Sequence, residues 1–167
     1  MAHPNPTEIA SAITQLFDSL PTRLGEGKKD SGWTKQLKED IGSLGVTHGW
    51  AVCTSGFPDR FDPEWLYDLI WYRSEPDNHL AEVYLVMESE WAVAPASIKY
   101  DFEKLLLAKS SLKVMVFEAY DRDIAGVFSL LESGIRAFQK KDAGEIYILA
   151  GYNMTSGNFV VRRITVA

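Results

Sequence analysis

The chain has 167 residues, 46% of them apolar, a net charge of −6 and a single cysteine. That length and apolar content suit one domain, residues 1–167, with a real core. An internal disulfide and a cysteine-built zinc site are excluded, and no run of about 18 apolar residues exists to span a bilayer.

The start, Met1-Ala2-His3-Pro4-Asn5-Pro6, lacks the basic and apolar regions of a signal peptide. With Cys53 alone, a reducing cytoplasm is the expected setting. Residues 7–20 then read as a helix: Ile9, Ile13, Leu16, Phe17 and Leu20 recur at helical spacing. Thr7 is the expected N-cap and Pro21 the expected stop. Gly25 to Gly32 reads as a polar loop. Its Gly25-Glu26-Gly27-Lys28-Lys29 stretch lacks the spacing of a phosphate-binding loop. Trp33, Leu37, Ile41 and Leu44 predict a second helix, ended by Gly45.

Three strands are expected next: Gly49 to Thr54, Trp65 to Tyr72, and Leu80 to Glu90. Pro76, Asp77 and Asn78 mark the hairpin between the last two. A helix capped by Ser97 follows, burying Ile98, Phe102, Leu105 and Leu106. A strand over Lys113 to Ala119, a helix over Asp123 to Lys140, and strands over Glu145 to Tyr152 and Phe159 to Val166 complete the chain. The meander is antiparallel, while the helix between the third and fourth strands permits a parallel crossover. An α/β domain with a central mixed sheet and helices on both faces is the predicted architecture.

Acids inside apolar strands need compensation, because burying a charge costs several kcal/mol. Asp68 lies in the run Trp65-Leu66-Tyr67-Asp68-Leu69-Ile70-Trp71-Tyr72, and Glu88-Ser89-Glu90 closes the run Val83-Tyr84-Leu85-Val86-Met87. Alternation sends Glu88 and Glu90 to one face, and the hairpin sets Asp68 alongside. Without a cation, mutual repulsion would raise at least one carboxyl pKa. With Mg²⁺ or Mn²⁺, Asp68, Glu88 and Glu90 become oxygen ligands, and a metal-bound water becomes a nucleophile toward a phosphoryl group. Lys104, one turn beyond Asp101 on the next helix, is placed to orient a water or stabilise phosphate charge. Asp101 is expected to charge the first turn of that helix favourably.

The acidity is local. Nine acids and two bases between Phe57 and Glu90 give that segment −7, leaving +1 for the rest. Lys99, Lys109 and Lys113 are expected to supply positive charge near the acids for a phosphate backbone. His3, His48 and His79 are scattered, which argues against a histidine metal site. The five tryptophans read as core, with Trp91 the one expected to line a cleft.

Helix, three-strand meander with Asp68 on the second strand and an acidic pair on the third, then helix and strand: this order, over about residues 33–119, resembles the PD-(D/E)XK, or restriction-endonuclease-like, nuclease superfamily. The resemblance implies an α-β-β-β-α-β core, with Asp68 and Glu88 as metal ligands and position 90 as the water-activating residue. Glu90 departs from the usual lysine and is similar to the Glu-x-Glu pair of some relatives. In others the lysine lies on the following helix, which implies Lys104. The usual proline before the aspartate is replaced by Tyr67. The literal Pro58-Asp59 lies in a turn and ranks below Asp68. Glu39 on the preceding helix is implied as a further metal contact. The expected activity is a Mg²⁺- or Mn²⁺-dependent nuclease acting on nucleic acid, DNA foremost, in a restriction, repair or phage-defence setting. It would work as a homodimer or beside a partner protein. The rival expectation is a catalytically inactive member of the same fold serving as a protein-binding or immunity-type module. The missing lysine at position 90 and the acidic total favour that rival.

Overall fold

The computed structural model describes residues 4–24 and 31–167. The described residues build four helices and six strands: α1 (Pro6–Leu24), α2 (Ser31–Thr47), β1 (Ala51–Thr54), β2 (Leu69–Ser74), β3 (Leu80–Glu90), α3 (Pro95–Leu107), β4 (Leu112–Ala119), α4 (Asp121–Ala137), β5 (Ile146–Asn153) and β6 (Asn158–Thr165). The strands form one sheet in sequential order. β1, β2 and β3 pair antiparallel, β4 and β5 run parallel to β3, and β6 closes antiparallel on β5.

Alternation along the strands sorts the core into two halves. Leu85 and Met87 of β3, with Val114, Val116 and Ile148, pack under α1 and α2 through Ile13, Phe17, Leu37 and Ile41. Val86, Met115, Phe117 and Leu149 point the other way, onto Ile98, Phe102, Val127 and Leu131 of α3 and α4. The predicted mixed sheet with helices on both faces is therefore present, as three layers.

Local physics moves several predicted boundaries. Asn5, not Thr7, caps α1, its Oδ1 accepting the Thr7 N–H at 3.0 Å. Pro21 lies within α1, whose last turn continues past the fully buried Leu20. Gly45 does not stop α2. It lies inside the helix, where a Cβ would meet the Trp71 ring at 2.7 Å, so packing against that ring and not a helix stop accounts for the glycine. α3 begins at Pro95 with Ala94 as its cap, so Ser97 does no capping. The Gly25 to Lys29 stretch lies outside the described residues, as does His3.

The largest revision concerns β2, which starts at Leu69 rather than Trp65. Leu66 has φ of 63°, in the left-handed region, and the Tyr67 N–H donates to the Trp65 carbonyl at 2.8 Å. That i→i+2 bond around a positive-φ residue is a γ-turn, a strained geometry for a bulky side chain. It breaks the strand, and Asp68 sits just ahead of β2 rather than inside it.

Candidate functional site

The carboxyl ends of parallel strands are where open α/β sheets bind ligands, because loops and helix starts gather there. β3 delivers Glu88 to that end of the sheet. By alternation Glu88 shares the face of Val86, toward α3, while Ser89 turns to the opposite face. Leu69 pairs with Met87 across β2 and β3, so the next step of the same register brings Asp68 against Glu88.

Glu88 is almost fully enclosed, its side chain 5% exposed. Lys104 of α3 reaches Glu88 Oε2 at 2.8 Å and also Asp101 at 3.0 Å. Glu88 Oε1 is buried and has no hydrogen-bond partner. Burial pushes the Glu88 carboxyl up to about 7; the Lys104 hydrogen bond pulls it back, and the charge of Asp68 adds to the rise. Burial disfavours the Lys104 ammonium too, yet the bonds to Glu88 and Asp101 outweigh it and hold its pKa above the ordinary lysine range. Tyr67 closes this side, its hydroxyl donating to the Lys104 carbonyl at 3.3 Å.

Asp68 is oriented from the other layer. Its Oδ2 accepts the Ser89 N–H at 2.8 Å and the Ser89 hydroxyl at 2.7 Å. Thr54 anchors the backbone beneath it, donating to the Asp68 carbonyl at 2.7 Å. Asp68 Oδ1 faces Lys38 Nζ of α2 at 3.7 Å. Lys38 is itself buried and donates to Glu64 at 2.8 Å and to Ser55 at 2.9 Å. Burial raises the Glu64 pKa, but the bonds from Lys38 and Ser55 outweigh it and hold the carboxyl below its usual range.

Asp68 and Glu88 are neighbours across β2 and β3, close enough for the charge of Asp68 to act on Glu88, although Asp68 is held from the α2 side and Glu88 from the α3 side; each has one oxygen without a hydrogen bond, Asp68 Oδ1 and Glu88 Oε1. Glu90 is engaged elsewhere, its Oε1 accepting the Ala92 N–H at 2.8 Å. Among the described residues no three acids, histidines or cysteines form a ready-made metal cluster. The set is two carboxylates, which suits Mg²⁺, an ion that uses one or two carboxylates and keeps several waters.

Other expectations land elsewhere. Glu39 pairs with Arg60 at 2.9 Å on the exposed side of α2. Asp101 is not in the first turn of α3 and serves Lys104 instead. Trp91 donates to Thr34 at 2.7 Å and packs toward α2. Lys113 is not a surface cation near the acids. It is buried at the opposite end of the sheet, bonded to Glu145 at 2.6 Å. Lys109 also lies at that end, beside a cleft of about 680 Å³ that includes Ser110 and Glu145. Lys99 is paired with Glu103.

Sequence reasoning missed Lys38, Glu64 and Ser89. Lys38 follows Leu37 and precedes Ile41 by three positions, on the border of the buried stripe of α2. That border position was its only signal. Compared with family models, curated proteins and solved structures, the chain matches none. No helix among the described residues is long and apolar enough to cross a membrane.

Proposed function

We propose that this chain is a metal-dependent nuclease of the restriction-endonuclease-like type, hydrolysing phosphodiester bonds of nucleic acid. The observation that carries the reading is Glu88: a carboxylate with one buried, unpartnered oxygen, set beside Asp68 at the carboxyl end of β3. A buried oxygen without a donor is costly in a finished protein, and a cation shared with Asp68 would remove that cost. The order α2-β1-β2-β3-α3-β4 supports the same family reading.

Asp68 Oδ1 and Glu88 Oε1 would hold Mg²⁺ or Mn²⁺. When bound, the ion would ionise a water and stabilise charge on the phosphoryl oxygens. Ser89 fixes the Asp68 carboxylate through two bonds, so its free oxygen has a set direction. Lys104 would release part of its hold on Glu88 and place its ammonium beside the phosphate, where a cation lowers the barrier. Its half-exposed position suits that contact. Glu90 would have to leave the Ala92 amide to join in.

Supercoiled plasmid, single-stranded DNA and RNA, each incubated with Mg²⁺ or Mn²⁺, test the reading. Cleavage of at least one polymer is expected, reduced about a hundredfold or more in Asp68→Ala and Glu88→Ala. Absence of metal-dependent cleavage on all three would favour the second reading, an inactive member of the fold that binds a protein. Glu90 bent back on Ala92, with Lys104 committed to two acids, favours that alternative.

A further inference from the structure

Four acids at this end of the sheet are held in pairs by lysines. On the α3 side Lys104 bridges Glu88 and Asp101. On the α2 side Lys38 bridges Glu64 and Asp68. The second bridge is lopsided. Nζ lies 2.8 Å from Glu64 and 3.7 Å from Asp68, with Ser55 completing the seat at 2.9 Å. Ser55 also donates to the same Glu64 oxygen at 2.7 Å. The lysine side chain is 7% exposed, so water does little to screen it.

We infer that Lys38 is a resident counter-ion, a positioning residue that Glu64 and Ser55 hold off Asp68 so that its Oδ1 stays open to a divalent ion. This rests on the reading of Asp68 and Glu88 as metal ligands. In the metal-free chain Lys38 balances the charge of Asp68. When a cation arrives, Lys38 remains with Glu64, and the closeness of its own positive charge weakens the divalent ion's grip. Glu64, placed four residues ahead of Asp68 across the γ-turn, thereby tunes metal affinity without touching the metal.

The arrangement predicts opposite signs for two substitutions. Lys38→Met removes a positive charge next to the ligand, so Mn²⁺ should bind roughly tenfold more tightly. The metal-free protein should melt earlier, because Glu64 and Asp68 lose their partner. Glu64→Gln weakens the seat and lets Lys38 swing to Asp68, so Mn²⁺ should bind roughly tenfold more weakly. Glu64 is partly exposed, so this variant should fold even if Lys38→Met does not. The experiment is a calorimetric and thermal-shift titration of the full chain with Mn²⁺ alone. Weaker binding by Glu64→Gln, together with tighter binding by Lys38→Met wherever that variant folds, supports the inference. Unchanged or tighter binding by Glu64→Gln, or unchanged or weaker binding by a folded Lys38→Met, overturns it while leaving the metal reading intact. No Mn²⁺ response in the unsubstituted chain overturns both.

Discussion

Two lysine–glutamate pairs with a buried glutamate lie on the α3 and α4 side of the sheet, at opposite ends of its parallel strands, and they are finished to different degrees. At the amino end, Lys113 and Glu145 are sealed, 1% and 7% exposed. Glu145 Oε2 accepts from Lys113 at 2.6 Å and from the Tyr147 hydroxyl at 3.2 Å. Lys113 also sits 4.9 Å from the Tyr147 ring centroid. At the carboxyl end Glu88 is equally buried, but its lysine is half-exposed, one oxygen has no donor, and Asp68 adds a second negative charge. Burial alone does not separate the two glutamates. What separates them is the completeness of their hydrogen bonding: a satisfied buried pair serves the fold, while the unsatisfied one is the pair for which we propose a ligand.

The largest loss of stability is expected at the sealed end. Lys113→Met leaves Glu145 buried without its cation and should cost about 3–5 kcal/mol in urea unfolding. The double variant Lys113→Met with Glu145→Leu should recover much of that loss. A single-variant cost below about 1 kcal/mol would mean that the pair is not structural.

At the open end the sign reverses. An acid whose folded pKa lies above its unfolded value stabilises the fold when protonated. For Glu88 that contribution is complete below about 4.5, fades as pH rises, and is gone above about 7. Glu88→Gln imitates the protonated form. It should match the parent near pH 4 and exceed it by about 1–2 kcal/mol at pH 8. Thermal melts across that range check this, and a difference independent of pH would contradict the burial account.

Smaller effects sharpen the contrast. Tyr147→Phe should cost about 1 kcal/mol, since Glu145 loses a buried donor. Tyr67→Phe, whose hydroxyl makes one longer bond to a carbonyl, should cost less than half of that. Smallest of all, Leu66→Gly should gain only about 0.2 kcal/mol in chemical denaturation, the relief of positive-φ strain being nearly offset by the added chain entropy of glycine.

How much of this was legible in the sequence follows from the range of each interaction. β3 was readable residue for residue, because a continuous apolar run bounded by a hairpin leaves little choice. The buried face of α3 was equally plain: Ile98, Phe102, Leu105 and Leu106 are the residues its spacing indicated. The γ-turn at Leu66 was invisible, since Trp-Leu-Tyr has strong strand propensity and no glycine or proline marks the break. Of the site, Asp68 and Glu88 could be paired from register, and Lys104 from its place on the next helix. Lys38 and Lys113 look alike as letters. One is set against acids distant in sequence at the carboxyl end, the other at the amino end, and only the sheet decides which.

The most direct test of the central claim is a crystal of the unsubstituted protein soaked in Mn²⁺ and measured at the manganese absorption edge. An anomalous peak is expected about 2.0–2.2 Å from both Asp68 Oδ1 and Glu88 Oε1, its remaining ligands being waters. A fully soaked crystal with no peak between those two oxygens, or with its peak beside Glu145 instead, would contradict it.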